Sequence, residues 1–573
     1  MQLLHPGNLE AEIKKVYSSF DEKKIANLLF DKDPTLWKDD PEQVKDIRQR
    51  LGWLTLPELY LDKANEITTF ALQVKEDGFT HIVLLGMGGS SLSSEVARET
   101  FGSSQGFPVL FVLDNTAPEA ILDLENKINL EHTLFIVASK SGGTEETISF
   151  FKYFYAQLQK TNDKNPGNHF VAITDDNTSL VKVAAEHNFR KVFINPSDLG
   201  GRYSVLSDFG LVPMALIGID IVSFLTSAKR MQVSCNDGRP AEFNPGISLG
   251  VLLGIWQQHG RDKVTFILSS SISSFGYWVE QLIAESTGKE GKGLIPVVGE
   301  SLGHPEEYGP DRIFVNLCLN HDDSKEASLK TNALEAAGHP VIRITMDDKV
   351  DLGSEYYRWE VATAIAGLVM KINPFDQPNV EESKQNTKLI LEKWNKEGSF
   401  KISAREYIVD DFHIYEGHRE NPSQIKSANN VGGVVNQFTA QAKTNDYIAM
   451  LPYFMMNDHR ENVLQAWREK MRDELKVATT LLNGPRYLHS TGQLHKGGPD
   501  TGLFIILVGE HEADLAIPGS TFGFAILHEA QALGDFQSLD DKGRRVIYIN
   551  LGADIDAGLS KLFKSISISN TSN

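Results

Sequence analysis

From about residue 80 onward, short and continuously apolar runs alternate with longer stretches of helical periodicity. The runs are HIVLLG (81–86), PVLFVLD (108–114), HTLFIVAS (132–139), HFVAITD (169–175) and KVFIN (191–195). After a helical interval come KVTFILSS (263–270), RIFVNLCL (312–319) and HPVIRIT (339–345). A strand with one face in water alternates apolar and polar residues. These runs do not alternate, which is the pattern of strands covered on both faces. Alternation of such strands with helices predicts an α/β protein built from doubly wound units with parallel sheets.

Two blocks, roughly 50–225 and 240–385, each open with a strand entering a Ser-rich turn, VLLGMGGSSLSS (83–94) and FILSSSISSFG (266–276). That correspondence suggests two copies of one fold. Residues 1–50 read as a mainly helical lead-in. Residues 386–435 are polar and include NPSQIKSANNVGG (421–433), the signature of a boundary or an exposed excursion. The last block, about 436–573, holds two more strand-like runs, GLFIILVG and RRVIYINLG, and its TFGFAILHEAQALGD (521–535) echoes GSEYYRWEVATAIAGLVMKI (353–372) as a partial third repeat.

Composition narrows the functional classes. The chain has 573 residues, is 41% apolar and 23% charged, and carries a formal net charge of −20. That surplus argues against a nucleic-acid partner, which calls for a basic stripe along the phosphates. An anionic small substrate would also be repelled at long range, so its site needs a local cationic island. Two cysteines cannot build a disulfide framework or a Cys-rich zinc site, which suits a reducing cytoplasm. The first residues, MQLLHPGNLEAEIKK, lack a basic stretch followed by an apolar one, so no signal peptide is expected. Apolar runs such as ATAIAGLVM fall short of the roughly 20 residues of a membrane span.

Several segments could carry chemistry. Ser139-Lys140-Ser141-Gly142-Gly143-Thr144-Glu145-Glu146-Thr147 follows a strand and opens a helix, offering hydroxyls and free N–H groups suited to a phosphate. It reads equally as a helix N-cap with a capping box. Gly86-Met87-Gly88-Gly89-Ser90-Ser91, with Asp114 ending the next strand, superficially resembles a dinucleotide-binding turn, but Ser91 stands where the third glycine of G-x-G-x-x-G is required. Hydroxyls there favour a sugar phosphate, and a plain tight turn is the alternative. Gly200-Gly201-Arg202 allows close backbone approach and a planar cationic fork, or is a surface arginine after a turn. Glu285 ends an amphipathic helix one turn after Gln281; it is a proton-transfer base or a solvated acid. Pro374-Phe375-Asp376-Gln377-Pro378, followed by Lys384, is a stiff, proline-bounded segment. The stretch from Pro485 to Pro499 concentrates His, Lys and Gly without helical periodicity, as a site loop does. No P-loop, H-E-x-x-H or EF-hand pattern occurs, and nothing in the motifs demands a metal or another cofactor.

Together GMGGSS, SKSGGTEET, GGRYSVLS, ESTGK and NPFDQPNVEESK, spread over about residues 80–390, resemble the glucose-6-phosphate isomerase (phosphoglucose isomerase) family. The resemblance implies two sugar-isomerase (SIS) domains, at 51–235 and 236–390, after the 1–50 lead-in. A smaller C-terminal α/β block, 391–573, would follow. GPRYLHSTGQLHKGGP in that block is similar to the third region in isomerase portions of transaldolase–isomerase fusions. No segment is long enough for a transaldolase barrel.

By the resemblance, Gly88, Gly89, Ser90, Ser139, Lys140, Ser141 and Thr144 surround a substrate phosphate. Glu285 is the base between C2 and C1, Arg202 lies beside the enediolate, Gln281 and Gln377 contact hydroxyls, and Lys384 lies near the ring oxygen. The implied reaction is reversible isomerisation of glucose 6-phosphate and fructose 6-phosphate through a cis-enediol. The alternatives are a related phosphosugar isomerase, acting on a mannose or amino-sugar phosphate, and a sugar-phosphate sensor without catalysis.

Two departures stand out. The phosphate loop reads SKSGG-T where many bacterial members have SKSGT-T, one hydroxyl fewer. The family's ring-opening histidine falls between the base and the FDQ segment, where this chain has GESLGHPEEYGPDR with only His304 in a comparable place. The better match, LHSTGQ, comes after Lys384 and puts His489 in that role, in preference to His304. In familiar dimers this histidine comes from the neighbouring subunit; a C-terminal block in the same chain would relax the need for a dimer. The expected cationic island is Lys140, Arg202 and Lys384, with Lys496 as a further candidate.

Overall fold

The computed structural model describes residues 2–4, 9–161, 164–322, 325–417, 425 and 428–566. The chain starts with a short strand, β1 (Gln2–Leu4), that joins a sheet formed far downstream by pairing antiparallel with Ile342–Ile344. The lead-in that follows is helical, with helices at Glu10–Glu22, Ile25–Phe30 and Pro41–Arg48.

The first sheet contains β2 (His81–Gly86), β3 (Val109–Leu113), β4 (Thr133–Ala138), β5 (Phe170–Asp175) and β6 (Lys191–Asn195). All neighbours are parallel and the order is β3-β2-β4-β5-β6. The chain therefore leaves β2 to one side and returns to β4 on the other. The crevice beyond the C-terminal ends of these two strands is where doubly wound sheets bind ligands. Both the Gly86–Ser91 turn and the Ser139–Thr144 loop open there.

The second sheet is β7 (Lys263–Leu268), β8 (Ile295–Val297), β9 (Arg312–Leu319) and β10 (Val341–Met346), in the order β1-β10-β9-β7-β8. Its strands are parallel apart from β1. One apolar core is shared by the first two sheets, and within it the helix Pro245–Gln258 crosses Leu352–Met370. Gly246, Gly250 and Gly254 lie one turn apart on the first helix. Each would place a Cβ within 2.5–2.7 Å of Val361, Ile365 or Val369, so only glycine permits this approach. The first helix is apolar almost throughout because it is buried on nearly every side, whereas the second also buries Glu355, Arg358 and Glu360.

The third sheet is mixed: β11 (Arg405–Val409), β12 (Phe412–Glu416), β13 (Tyr447–Tyr453), β14 (Ala478–Leu481), β15 (Gly502–Val508) and β16 (Arg545–Asn550), ordered β11-β12-β16-β15-β13-β14. Four strands are parallel, and the β11–β12 hairpin caps one edge antiparallel. The polar interval expected at 386–435 contains the end of a helix, Pro378–Glu397, and this hairpin. Within NPSQIKSANNVGG, residues 421–424 and 426–427 lie outside the described residues.

The third sheet's helix Phe524–Asp541 docks on the first block. Its Phe524, Leu527 and Ala530 share a core with Phe150, Tyr153 and Phe154 of the helix Glu145–Lys160, and the Phe150 and Phe524 rings stack at 5.7 Å. The beginning of Glu145–Lys160 is the end of the Ser-rich loop. Packing here therefore brings the third block to the edge of the first-sheet crevice.

Candidate active site

Three loops meet backbone to backbone over β2. Gly88 has φ +54°, and a Cβ there would fall 2.5 Å from the His489 carbonyl oxygen; a Cβ on Gly89 would fall 2.2 Å from that of Gly201. The Gly-rich turn is thus a seat for the Arg202 loop and the His489 loop, with glycine required at both contacts. Asp114, at the end of β3, is buried and clamped by Arg486, whose Nε and Nη2 donate to its carboxylate at 2.7 and 3.0 Å. The acid that a dinucleotide fold would turn to a ribose here anchors the histidine loop instead.

Arg202, expected as either a functional or a surface residue, is 1% exposed. Its Nε donates to Ser286 Oγ (2.7 Å), Nη2 to the carbonyls of Pro374 (2.8 Å) and Asp376 (3.0 Å), and Nη1 to Gln377 Oε1 (3.2 Å). The same Nη1 lies 3.2 Å from Glu285 Oε1. Glu285 is buried at the end of the helix Phe275–Thr287. It accepts from Gln281 Nε2 at 3.1 Å, and that amide also donates to the His489 carbonyl at 2.7 Å. Gln281 Oε1 is buried with no hydrogen-bond partner in the structure, a polar atom suited to a ligand hydroxyl.

Lys289, in the ESTGK turn, is buried against Asp376 with Nζ 2.6 Å from its carboxylate, and it also donates to the Asp376 carbonyl. Burial, and then the charge of Arg202, pushes the Lys289 ammonium down to about 7 against the pull of Asp376. Arg202 and Lys289 together fix the Pro374–Gln377 turn.

In the Ser-rich loop, Thr144 starts the helix but does not cap it: its hydroxyl pairs with Ser139 Oγ at 2.8 Å. Gly142 has φ +70° and packs against Thr178, holding the loop in a shape other residues rarely adopt. Lys140 is paired with Asp175, Nζ to Oδ2 2.5 Å.

His489 lies in the same chain beside this loop, its Nε2 3.0 Å from Glu146 Oε1. Burial alone would raise Glu146, but the His489 contact and the Lys384 charge hold it below the usual carboxylate range. An ionised acceptor takes the Nε2 proton of His489, leaving Nδ1 as the nitrogen for a ligand. Glu146, Lys384, His489, Ser141 and Thr144 all line one cavity of about 500 Å³. The Glu285–Arg202 pair adjoins it through Gln281. His304 is elsewhere, at the start of the Pro305–Glu307 turn, with its N–H bonded to Glu307. Lys496 is no part of a cationic island: it is buried and bonded to Asp535, because the chain after Ser490 turns into the third block's core.

Sequence reasoning gave Glu146, Lys289 and Gln493 no role, although all three stand inside the quoted motifs. Gln493 donates to the Gly288 carbonyl (2.9 Å) and to Asn379 Oδ1 (2.8 Å), tying the histidine loop to both the ESTGK and FDQ segments. The signal available was position alone, since each lies two to four residues after a proposed contact residue in its motif.

A larger cavity of about 620 Å³ lies beside the same helix and is lined by Glu280, Arg468, Arg486 and Ser490, among others. Burial pushes Glu280 up to about 8, against the opposing pull of Arg468 and Arg486.

The phosphoglucose isomerase family model matches residues 72–294, the interval that contains the Gly-rich turn, the Ser-rich loop, Arg202 and Glu285. Over those residues the chain is similar to phosphoglucose isomerases. Among curated proteins, the chain is 29% identical over 377 residues to a probable glucose-6-phosphate isomerase of Methanococcus maripaludis, covering 60% of this chain and 84% of the relative. It is 28% identical over 394 residues to the glucose-6-phosphate isomerase of Streptococcus pyogenes, covering 60% and 87%. Among solved structures, a hypothetical protein of Thermus thermophilus superimposes with TM-score 0.58 at 23% identity, over 68% of this chain and 100% of that one. A glucose-6-phosphate isomerase of Chlamydia trachomatis superimposes with TM-score 0.53 at 18% identity, over 67% and 86%. These two share their fold with this chain over those lengths. Among the described residues, no helix is long and apolar enough to cross a membrane.

Proposed function

We propose that the chain interconverts glucose 6-phosphate and fructose 6-phosphate, with every reacting group supplied by one polypeptide. The observation that carries this reading is the Gln281 bridge: one amide joins the Glu285 carboxylate to the His489 backbone, so the base and the ring-opening group are one side chain apart.

The substrate phosphate is taken by Ser139, Ser141 and Thr144, with Lys140 and the neighbouring Gly88–Gly89–Ser90 turn completing the pocket. This contact, remote from the reacting carbons, fixes the sugar and lowers the entropic barrier to reaction. His489, its Nε2–H held by Glu146 and its Nδ1 also protonated for this step, gives the Nδ1 proton to the ring oxygen beside Lys384; the bond from C1 to the ring oxygen breaks and the O1 proton passes to water, giving the open aldehyde. The Glu285 carboxylate then removes the C2 proton. The freed electron pair forms the C1–C2 double bond and the negative charge moves to O1, beside the Arg202 guanidinium. A fixed cation in a dry site stabilises that charge with no reorganisation at the moment of reaction. Return of the proton to C1 and transfer of the O2 proton complete the ketose. Gln281 and Gln377 hold the hydroxyls.

The site lies where the blocks 51–235, 236–390 and 391–573 meet, and because His489 reaches Glu146 within one chain, a monomer suffices. A dehydrogenase-coupled assay with fructose 6-phosphate tests the reading. Steady production of glucose 6-phosphate supports it. Inactivity with this substrate, alongside activity on a mannose or amino-sugar phosphate, would overturn the substrate assignment.

A further inference from the structure

The third block contributes more than His489. Glu146 Oε1, which receives His489, also receives Gln531 Nε2 at 2.6 Å from the docked helix Phe524–Asp541. Gln531 Oε1 in turn accepts from Thr116 Oγ1 at 2.7 Å, and Thr116 Oγ1 lies 2.9 Å from His528 Nδ1. Thr116, Gln531 and His528 are all at most 3% exposed.

The polarity of this chain follows from its ends. Glu146 is held ionised and can only accept, so Gln531 presents its amide N–H₂ to it and its carbonyl to Thr116. The single hydroxyl proton of Thr116 is then committed to Gln531, and His528 must donate through Nδ1. Burial first, and then the nearby His511, push His528 down to about 3, so its ring stays neutral and keeps one fixed proton. The order is His528 to Thr116 to Gln531 to Glu146, with His489 donating to the same Glu146 oxygen. A buried carboxylate with two fixed donors has one orientation.

We propose that Gln531 and Thr116 are positioning residues for ring opening, acting through Glu146 to fix the tautomer and direction of His489. Thr116 does not line the cavity, and Gln531 borders it with both ends of its amide bonded within the protein. The inference rests on the reading of His489 as the ring-opening group, and it assigns the docking of helix Phe524–Asp541 a second task besides burial.

Ring opening and closing alone interconvert the α and β anomers of glucose 6-phosphate, whereas exchange of the C2 proton needs Glu285 as well. Magnetisation exchange between the anomers therefore isolates the step in question. In wild type, enzyme-dependent anomer exchange establishes that the site opens the ring; its absence would remove the underlying reading rather than this one. Gln531→Leu is expected to slow anomer exchange by about 10- to 100-fold, the scale of a misaimed reacting group, with KM for glucose 6-phosphate nearly unchanged and the acid limb of the pH profile moved. Thr116→Val should follow in the same direction, and Thr116→Ser, which restores the hydroxyl, should recover the rate. A folded Gln531→Leu enzyme with wild-type anomer exchange and pH profile would overturn the proposal. So would Thr116→Ser as slow as Thr116→Val, which would mark a packing effect.

Discussion

The Arg202 guanidinium lies 3.2 Å from the Glu285 carboxylate, with both groups buried and the arginine held by four further hydrogen bonds. In the proposed mechanism Glu285 is a base steered by a cation that cannot move away, and the same cation would face the oxygen that becomes negative. Arg202→Lys is not a conservative change here: an ammonium cannot span Ser286, the Pro374–Asp376 carbonyls and Gln377 at once. Steady-state kinetics should show kcat lower by about 10²- to 10³-fold, the usual cost of losing a preorganised charge stabiliser. A kcat within a few-fold of wild type would remove Arg202 from the oxyanion role.

Two histidines compete for ring opening on sequence grounds, and only one is near the crevice. His489→Ala should abolish enzyme-dependent anomer exchange, while His304→Ala, a change at an unconnected turn, should leave it intact. The reverse pattern would reassign the role.

Lys289 holds Asp376 from within the protein, and the Pro374–Gln377 turn in turn holds Arg202. Lys289→Met leaves the Asp376 carboxylate, 35% exposed, without its partner; water still reaches that carboxylate, so the cost is about 1 kcal/mol, well below that of a fully buried pair. Thermal unfolding should register that loss, and kcat should fall with it. Lys289→Arg, which restores the charge, should recover part of both.

Glu280 faces the larger cavity with its carboxyl raised to about 8 from the model-compound 4.5. Between those values the unfolded chain has released a proton that the folded chain retains, so wild type loses stability as pH rises through that window. Glu280→Gln has no such proton to lose. The difference in melting temperature between variant and wild type should therefore move in favour of the variant from pH 5 to pH 8. A constant difference would show that Glu280 titrates normally.

Much of this molecule is legible along the chain. The ten apolar runs read as strands became β2–β7, β9, β10, β15 and β16, because strands covered on both faces cannot disguise themselves with polar residues. Four of the six missed strands have a local cause. β8 has three residues, too few for a period. β13 contains Pro452, which argues against a central strand. The β11–β12 hairpin turns through Asp410 and Asp411, both in the left-handed region, in place of the Asn-Gly or Asp-Gly that signals such a turn. At the site, Glu285, Arg202 and His489 were readable because each sits in a motif of its own. Gln531 and Thr116 were not: they meet through the docking of two blocks, and no spacing along the chain encodes a contact across 415 positions.

The most direct test of the account is proton exchange at C2, followed by NMR for glucose 6-phosphate in deuterium oxide with wild type and with Glu285→Gln. Wild type should form fructose 6-phosphate and place solvent deuterium at C2 of the recovered substrate. Glu285→Gln should do neither while still interconverting the anomers. Retention of C2 exchange in that variant would contradict the assignment of Glu285 as the base, and with it the central claim.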